Sequence, residues 1–201
     1  MRRFGSDYGG YDVATDALNA QSVVYSCGVG EDVSFDLALI DGYHLAVHAF
    51  DPTPKSIEWV GAKALPRTFV FHPYGISDRD GTALFYPPDD PGHVSHTLLS
   101  HPSTSERAIR VPMKRIATVM AELGHDHIDI LKLDIEGAEF GVIRDLIASR
   151  VRPRQLLVEF HHRFEGLGRK RLRETVRSLR RAGWAIFSVS ESGEIFGFLR
   201  A

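Results

Sequence analysis

The sequence predicts an α/β fold: a mostly parallel sheet of seven strands with helices on both faces and an antiparallel C-terminal hairpin. One observation is that short apolar runs alternate with amphipathic stretches of helical period, which is typical of βα units. Another is that the last two runs, 185–189 and 195–199, are separated only by a turn around Gly193. Strands joined by so short a connection must be antiparallel.

The first half of the chain alternates three apolar, β-branched runs with two amphipathic stretches. The apolar runs are short, and glycine, aspartate or proline follows them, which favours strands over helices. Pro54 suits the first turn of the second helix, because the N–H that proline lacks has no partner there. We therefore expect strands at 22–26, 44–50 and 67–71 and helices at 32–39 and 54–64.

The middle of the chain is less regular. Residues 76–86 are interpreted as a strand end, a turn at Asp80-Gly81 and a returning strand, because Asp-Gly favours hairpin turns. Residues 87–105 are rich in proline, serine, histidine and aspartate, which predicts a surface loop. A loop of this length is often functional, so we expect it on the substrate side. A poorly ordered insertion is the alternative.

The second half returns to regular alternation. Helices are expected where apolar residues recur at helical spacing, and strands where short apolar runs stand between them. The chain length suits one domain over 1–201, with residues 1–20 as an N-terminal lead-in. The predicted helices are 113–123, a helix after Glu139 through 147, and 169–182; the predicted strands are 128–133, 155–160, 185–189 and 195–199.

The composition excludes several classes of protein. Hydrophobic residues make up 43%, the formal net charge is −2, and Cys27 is the one cysteine, so no internal disulfide or cysteine-bound zinc is possible. These features fit a reducing, cytoplasmic compartment. The net charge gives no reason to expect nucleic acid, and the arginine-rich stretch 169–181 is interpreted as a solvated helix face. No apolar run approaches the ~20 residues that cross a bilayer, so we expect no membrane association.

The end of the first strand carries the pattern of a nucleoside-cofactor site. Gly28 and Gly30 allow a sharp turn and the close approach of a ligand. Asp51 ends the second strand, where a carboxylate can accept hydrogen bonds from both ribose hydroxyls. A turn that needs glycine only for steric reasons is the alternative.

The residues after this turn favour S-adenosyl-L-methionine over a dinucleotide. The third glycine of a pyrophosphate-binding turn is absent, and Glu31 and Asp32 would repel a pyrophosphate at a helix N-terminus. S-adenosylmethionine has no phosphate and carries a sulfonium and an ammonium group, so neighbouring acids are tolerated.

A group of acids follows the strand at 128–133. Asp134 stands just past the carboxyl end of this strand, where ligands bind in open α/β sheets, and Glu136 and Glu139 follow within about one helical turn. The alternative is that these acids only cap and charge the next helix. With Glu159 and His161, these three acids also form an oxygen-rich set that suits Mg²⁺ or Ca²⁺. We nevertheless predict a site without a metal.

These motifs resemble the FkbM methyltransferase family. Lys-Leu-Asp-Ile-Glu-Gly-Ala-Glu at 132–139 is similar to the family hallmark, and Phe-Asp-Pro at 50–52 to its segment after the second strand. Residues 76–81 resemble the segment after its third strand, and Leu-Val-Glu-Phe-His at 157–161 its fifth strand. Glycine-rich residues 4–11 resemble the lead-in of the methyltransferase-like branch. The resemblance implies a Rossmann-like class I methyltransferase fold.

The resemblance also implies the cofactor pocket. The chain departs from the family at Ser26, where an acid is common, and at Asp32, where glycine is common. Glu31 or Asp32 is interpreted as the replacement for the missing acid. The residues implied to bind S-adenosyl-L-methionine are Ser26, Gly28, Gly30, Asp51, Pro52, Ser77, Asp78 and Asp134.

The function implied is methylation of a hydroxyl group on a small molecule, natural product or sugar. Removing the hydroxyl proton needs a base, for which Asp134 and His161 are the candidates, with Glu136 as a third catalytic residue. The expected partner is the small-molecule or glycan acceptor, and a homodimer would complete the pocket of so short a chain. The alternatives are a non-catalytic binding module of the same fold and an NAD-dependent oxidoreductase.

Overall fold

The computed structural model describes residues 1–85, 108–164 and 167–200, so the predicted loop at 87–105 lies outside the described residues. Seventeen elements lie within these ranges. The strands are β1 (Arg2–Phe4), β2 (Tyr11–Val13), β3 (Val23–Cys27), β4 (Ala46–Phe50), β5 (Phe69–His72), β6 (Gly75–Ile76), β7 (Gly81–Phe85), β8 (Ile109–Lys114), β9 (Ile130–Leu133), β10 (Gln155–Glu159), β11 (Trp184–Val189) and β12 (Ile195–Arg200). The helices are α1 (Ser34–Tyr43), α2 (Pro54–Gly61), α3 (Ile116–Leu123), α4 (Glu139–Ser149) and α5 (Gly168–Arg181).

The large sheet has seven strands in the order β11-β12-β10-β9-β3-β4-β5. The strands β10, β9, β3, β4 and β5 run parallel to one another. The strand β12 is antiparallel to both of its neighbours, β10 and β11. The predicted fold class is therefore confirmed, with one addition: the last strand of the chain is not the edge strand but lies between β10 and β11.

Helices cover both faces of this sheet. Side chains of a strand alternate between faces, so consecutive residues of the central strands enter different cores. Val24 and Ile130 lie in the core that contains residues of α1 and α2. Tyr25 and Leu131 lie in the core that contains residues of α3, α4 and α5. Among the described residues, no helix is both long enough and apolar enough to cross a lipid bilayer.

The sheet has a switch point between β3 and β9. The strands β3, β4 and β5 follow one another toward one edge, and the chain then returns to place β9 on the other side of β3. The ends of these strands are held together by backbone hydrogen bonds, in which Gly28 N–H donates to Phe50 O at 2.9 Å and Asp134 N–H to Cys27 O at 3.0 Å. Open α/β sheets bind ligands at the carboxyl ends of strands at such a point.

The pairing predicted over 76–86 is wrong. The strand β6 pairs in parallel with β8, and β7 pairs with β8 in the antiparallel sense, so β6 and β7 lie on either side of β8 in a separate small sheet. The helix expected from 113 begins only at Ile116. Every second residue of β8 is buried: Val111 and Met113 lie in one small core with Phe85. This packing across the small sheet holds Met113 in a strand.

The N-terminal lead-in contains a hairpin that no sequence pattern predicted. Its strands β1 and β2 are antiparallel, and Phe4, Tyr11 and Val13 are buried in the core that contains α1. The side chain of Gln155, in β10, accepts the N–H of Ala14 and donates to its carbonyl oxygen, both at 2.8 Å. This pair of hydrogen bonds joins the hairpin to the large sheet and brings Tyr11 to the switch point.

Candidate cofactor and catalytic site

A cavity of about 770 Å³ opens at the carboxyl ends of β3, β4, β9 and β10. Binding sites for small molecules have volumes of roughly 300–1,000 Å³, so the cavity can hold one nucleoside cofactor. The structure brings together at this cavity most of the site residues that the sequence predicted. Those that line it are Gly28, Gly30, Asp51, Pro52, Asp134, Glu136 and His161.

Gly28 and Gly30 serve different purposes in the turn after β3. Both have positive φ, +88° and +57°. A Cβ on Gly28 would lie 1.8 Å from the Asp134 carbonyl oxygen, so only glycine lets β3 and β9 approach at the switch point. A Cβ on Gly30 would meet nothing within 4 Å. At Gly30 the backbone faces open space in the cavity, where a ligand can approach it.

Asp51 fixes the conformation of the same turn. Its Oδ2 accepts the N–H groups of Val29 and Gly30, both at 3.0 Å. Its Oδ1 accepts the N–H of Thr53 at 2.9 Å and the Thr53 hydroxyl at 2.7 Å. A carboxylate has about four lone-pair sites, so the four bonds occupy this buried side chain. Ribose hydroxyls would have to replace the bonds from the turn.

Glu31 and Asp32, the two acids interpreted as replacing the missing acid, have other partners. Glu31 pairs with Lys55 at 3.2 Å, near the surface. The Asp32 Oδ1 accepts the N–H of Ser34, the first residue of α1, at 2.7 Å, and its Oδ2 accepts the Ser6 hydroxyl at 2.7 Å. These hydrogen bonds lower the pKa of Asp32 despite its partial burial. Asp32 therefore links the N-terminal lead-in to α1.

Asp134 and Glu159 stand at the ends of β9 and β10 and share one donor. The Tyr11 hydroxyl lies 3.3 Å from the Asp134 Oδ2 and 3.3 Å from the Glu159 Oε2. The Lys132 Nζ lies 3.6 Å from the Asp134 Oδ2 and donates to Gly28 O at 2.8 Å. Burial and the charge of Asp134 raise the pKa of Glu159. Two carboxylates therefore face the cavity close to a single buried ammonium group.

Glu139 holds His161 in place. The buried Glu139 Oε1 accepts the His161 Nδ1–H at 2.9 Å and the N–H groups of Ile135 and Gly137 at 3.0 and 3.1 Å. The His161 Nε2 lies 3.4 Å from the Glu136 Oε2. Burial by itself lowers the pKa of His161, but the hydrogen bond and charge of Glu139, with the neighbouring carboxylates, outweigh it and raise this pKa to about 9. His161 is therefore an imidazolium at neutral pH.

The same side chains have the spacing of a cation site. One ligand atom each from Asp134, Glu136 and His161 lie within 4.8 Å of one another. Glu139 accepts the Nδ1–H and so presents Nε2 to the two carboxylates, the usual arrangement behind a metal-bound histidine. The cluster can hold a proton on His161 or a divalent cation in its place.

Three predicted cofactor residues do not line the cavity in the described part of the chain. Ser26 is fully buried in β3, behind the turn. Ser77 is bonded through its backbone N–H to Lys114 O at 3.0 Å, beside the small sheet. Asp78 pairs with Arg144 at 3.2 Å and with Arg79 at 3.4 Å. The segment 77–78 therefore ties the small sheet to α4 and lies outside this cavity.

Sequence reasoning missed several residues of the site. Lys132 and Glu139 lie inside the acidic motif, and Glu159 was named only as a metal ligand, so each had a sequence signal that the site assignment did not use. Asp36 lines the cavity and is buried in α1. Its sequence signal was its spacing. Asp36 stands three residues before Leu39 and four before Ile40, so it falls on the apolar stripe of the helix. Tyr11 had no signal, because only the fold brings it to Asp134.

Comparisons with known proteins identify the family of this chain. A family model described as "Methyltransferase FkbM domain" matches residues 17–200. The chain is 27% identical over 159 residues to "Probable methyltransferase-like protein 24" of Homo sapiens, and 26% identical over 159 residues to the protein of that name in Rattus norvegicus. Each match covers 78% of this chain and 37% of the relative. The chain thus spans little more than a third of the length of these relatives.

Solved structures share the fold. The methyltransferase FkbM of Methylobacillus flagellatus KT superimposes with a TM-score of 0.56 at 11% identity, over 90% of this chain and 44% of that one. A Methanococcus jannaschii fibrillarin pre-rRNA processing protein gives a TM-score of 0.55 at 11% identity, over 94% and 70%. At such low identity these likenesses show the fold, whereas the family model covers nearly the whole chain. This chain belongs to the FkbM methyltransferase family.

Proposed function

We propose that the chain binds S-adenosylmethionine in the 770 Å³ cavity and transfers its methyl group to a hydroxyl of a small molecule, natural product or sugar. The observation that carries the proposal is the position of this cavity. It lies at the switch point, with the glycine turn and Asp51 in its wall and Asp134, Glu159 and His161 beside them. A cofactor bound there and the group that activates its acceptor would therefore meet in one place.

The charge of the cavity supports a cationic cofactor. Among the described residues that line the cavity, the cationic side chains are Lys132 and His161. Carboxylates outnumber them in the same lining: Glu31, Asp32, Asp36, Asp51, Asp134, Glu136 and Glu159. The surplus negative charge attracts a sulfonium and repels a pyrophosphate. This is the main reason to prefer a methyl donor to a dinucleotide.

Asp51 would bind the ribose. The two ribose hydroxyls would donate to its carboxylate in place of the N–H groups of Val29 and Gly30, which would then be free to bind the ligand. The turn after β3 would thus change conformation on binding. Asp51 would stabilise one conformation of the turn in the free chain and another in the chain with bound cofactor. Pro52 and Phe50, which also line the cavity, supply apolar surface beside the ribose position.

Asp134 would act as the base. His161 carries a proton at neutral pH, so it cannot accept a second one, whereas Asp134 is partly exposed and faces the cavity. S-adenosylmethionine, when bound, would supply a methyl group on a sulfonium and leave as the neutral thioether S-adenosylhomocysteine. Asp134 would accept the proton that the acceptor hydroxyl loses. Glu136 and Glu139 would hold His161 as an imidazolium beside Asp134.

Calorimetric titration of the purified chain with S-adenosylmethionine tests the cofactor. Micromolar binding is expected, with at least tenfold weaker binding by Asp51→Ala and no binding of NADH. Asp51→Asn, which keeps one oxygen acceptor, separates loss of the ribose contact from collapse of the turn. Asp41→Ala is the control, because Asp41 is exposed on α1 and does not line the cavity.

Either of two results would contradict the proposal. A folded chain that binds no S-adenosylmethionine would favour a non-catalytic binding module, and one that binds NADH would favour an oxidoreductase. Calorimetry also tests a divalent cation at this site. Tight binding of Mg²⁺ or Mn²⁺ that is abolished by Glu136→Gln would mean that a metal takes the place of the proton on His161. Asp134 would then be a metal ligand and not the base.

A further inference from the structure

Asp36 is a buried acid in the wall of the cavity, and it forms no ion pair with the described residues. It lies in the first turn of α1, is 3% exposed, and lines the cavity beside the glycine turn. Its Oδ1 is buried and accepts no hydrogen bond from the described residues. A buried carboxylate without full hydrogen bonding is unfavourable, so such a group in a ligand cavity points to a donor supplied by the ligand.

The neighbouring cations and acids are already used. The Lys132 ammonium is turned toward Gly28 O, at 2.8 Å, and toward Asp134. Asp32 is bonded to Ser6 and Ser34, so it has less to offer a ligand than Asp36 has. Burial raises the pKa of Asp36 to about 6, against the attraction of Lys132 and the effect of the neighbouring Ser26 hydroxyl. A bound cation would favour the ionised form of the side chain further.

We propose that the Asp36 carboxylate binds the ammonium group at the methionine end of S-adenosylmethionine. This rests on the proposed function, which places that cofactor in the cavity. The ammonium has three N–H donors and a positive charge, which are what the unpartnered oxygen of Asp36 lacks. The acid at this end of the cofactor thus comes from the helix after the glycine turn, and neither Glu31 nor Asp32 fills the role.

The test compares two ligands that differ only in the group that Asp36 recognises. S-adenosylhomocysteine carries the ammonium, and its deaminated analogue keeps the carboxylate but lacks the amine. Calorimetry on the wild type should give about ten- to hundredfold tighter binding of S-adenosylhomocysteine. Asp36→Asn, which preserves shape, should remove most of that preference and leave the deaminated analogue within about twofold of its wild-type affinity.

The controls separate the two proposals. Asp41→Asn makes the same change on the exposed side of α1 and should bind both ligands as the wild type does. If Asp36→Asn does not fold, Asp36→Ser removes the charge with a smaller side chain and should show the same loss of preference. Equal wild-type affinity for the two ligands, or an equal loss of both in the Asp36 variants, would overturn the assignment of Asp36. A folded wild type that binds neither ligand would overturn the proposed function, and the assignment with it.

Discussion

At Gly28 the backbone has a φ of +88°, and a Cβ placed there would lie 1.8 Å from the Asp134 carbonyl oxygen. Gly30, two residues later, has a φ of +57° and open space around it. Gly28→Ala should therefore lower the free energy of unfolding by about 3 kcal/mol or more, through strain and displaced backbone. Gly30→Ala should lower it by only about 1 kcal/mol. Urea unfolding of both variants checks this, and equal losses would show that the close approach at the switch point is not rigid.

His161 makes the stability of the protein depend on pH. Its pKa is raised from an ordinary 6.5 to about 9 in the folded state. Because the folded pKa is the higher one, its contribution is fully present below about pH 6.5 and is lost as the pH rises through about 9; the shift corresponds to about 3 kcal/mol.

The measurement for His161 is urea unfolding at pH 6 and pH 9.5. The wild type should lose about 2–3 kcal/mol more than His161→Gln over this interval, because the variant has no imidazolium to lose. Parallel losses in the two proteins would mean that Glu139 and its neighbours do not hold a proton on His161.

Helix α1 begins at a junction between the lead-in and the large sheet. Asp32 accepts the first N–H of the helix and the Ser6 hydroxyl, and the Ser34 hydroxyl accepts the N–H of Ser6 at 2.8 Å. Asp32→Ala should lower the free energy of unfolding by about 1–2 kcal/mol, because it removes the hydrogen bonds to Ser34 and Ser6. It should also speed hydrogen exchange at the amides of Ser6 and Gly9. Asp41→Ala, exposed on the same helix, should change neither, and unchanged exchange in Asp32→Ala would show that the lead-in is held by its apolar side chains alone.

The elements also show where local patterns failed. The strands of the large sheet fall close to their predicted positions, since each is a short apolar run. The central strands β3, β9 and β10 are buried on both faces. The strand β8 was missed because Val111 and Met113 find their partner in β7, across residues outside the described part of the chain. Asp80-Gly81 has the residues of a hairpin turn, yet the strands on its two sides pair with β8 and not with each other.

On the scale of the whole molecule, the proposed cofactor, S-adenosylmethionine, should stabilise the folded protein. A ligand that binds only the folded state at a hundred times its Kd adds about 2.7 kcal/mol. For a domain of this size that corresponds to a rise of roughly 5–10 °C in Tm. A thermal scan with S-adenosylmethionine should show this rise in the wild type and a much smaller one in Asp51→Ala. No rise at saturating concentrations of S-adenosylmethionine would contradict its preferential binding to the folded state.

The sequence by itself determined the fold class and the family, and it named seven of the residues that line the cavity. These depend on local signals: the alternation of apolar runs, the glycine turn after β3, and the acids that follow strands. In a parallel sheet the carboxyl ends of neighbouring strands meet at one edge. Gly28, Asp51 and Asp134 could therefore be placed together before the structure was known.

Only the tertiary structure decided what these groups do to one another. Whether Asp51 is free or already bonded to the turn, whether His161 is neutral or charged, and which acid near α1 lacks a partner all depend on contacts between residues far apart in the chain. Tyr11 reaches Asp134 across 123 positions, and Lys132 reaches Gly28 across 104. Burial and charge at such contacts are properties of the packed molecule, because both the desolvation of a group and its neighbours' charges are set by three-dimensional distance.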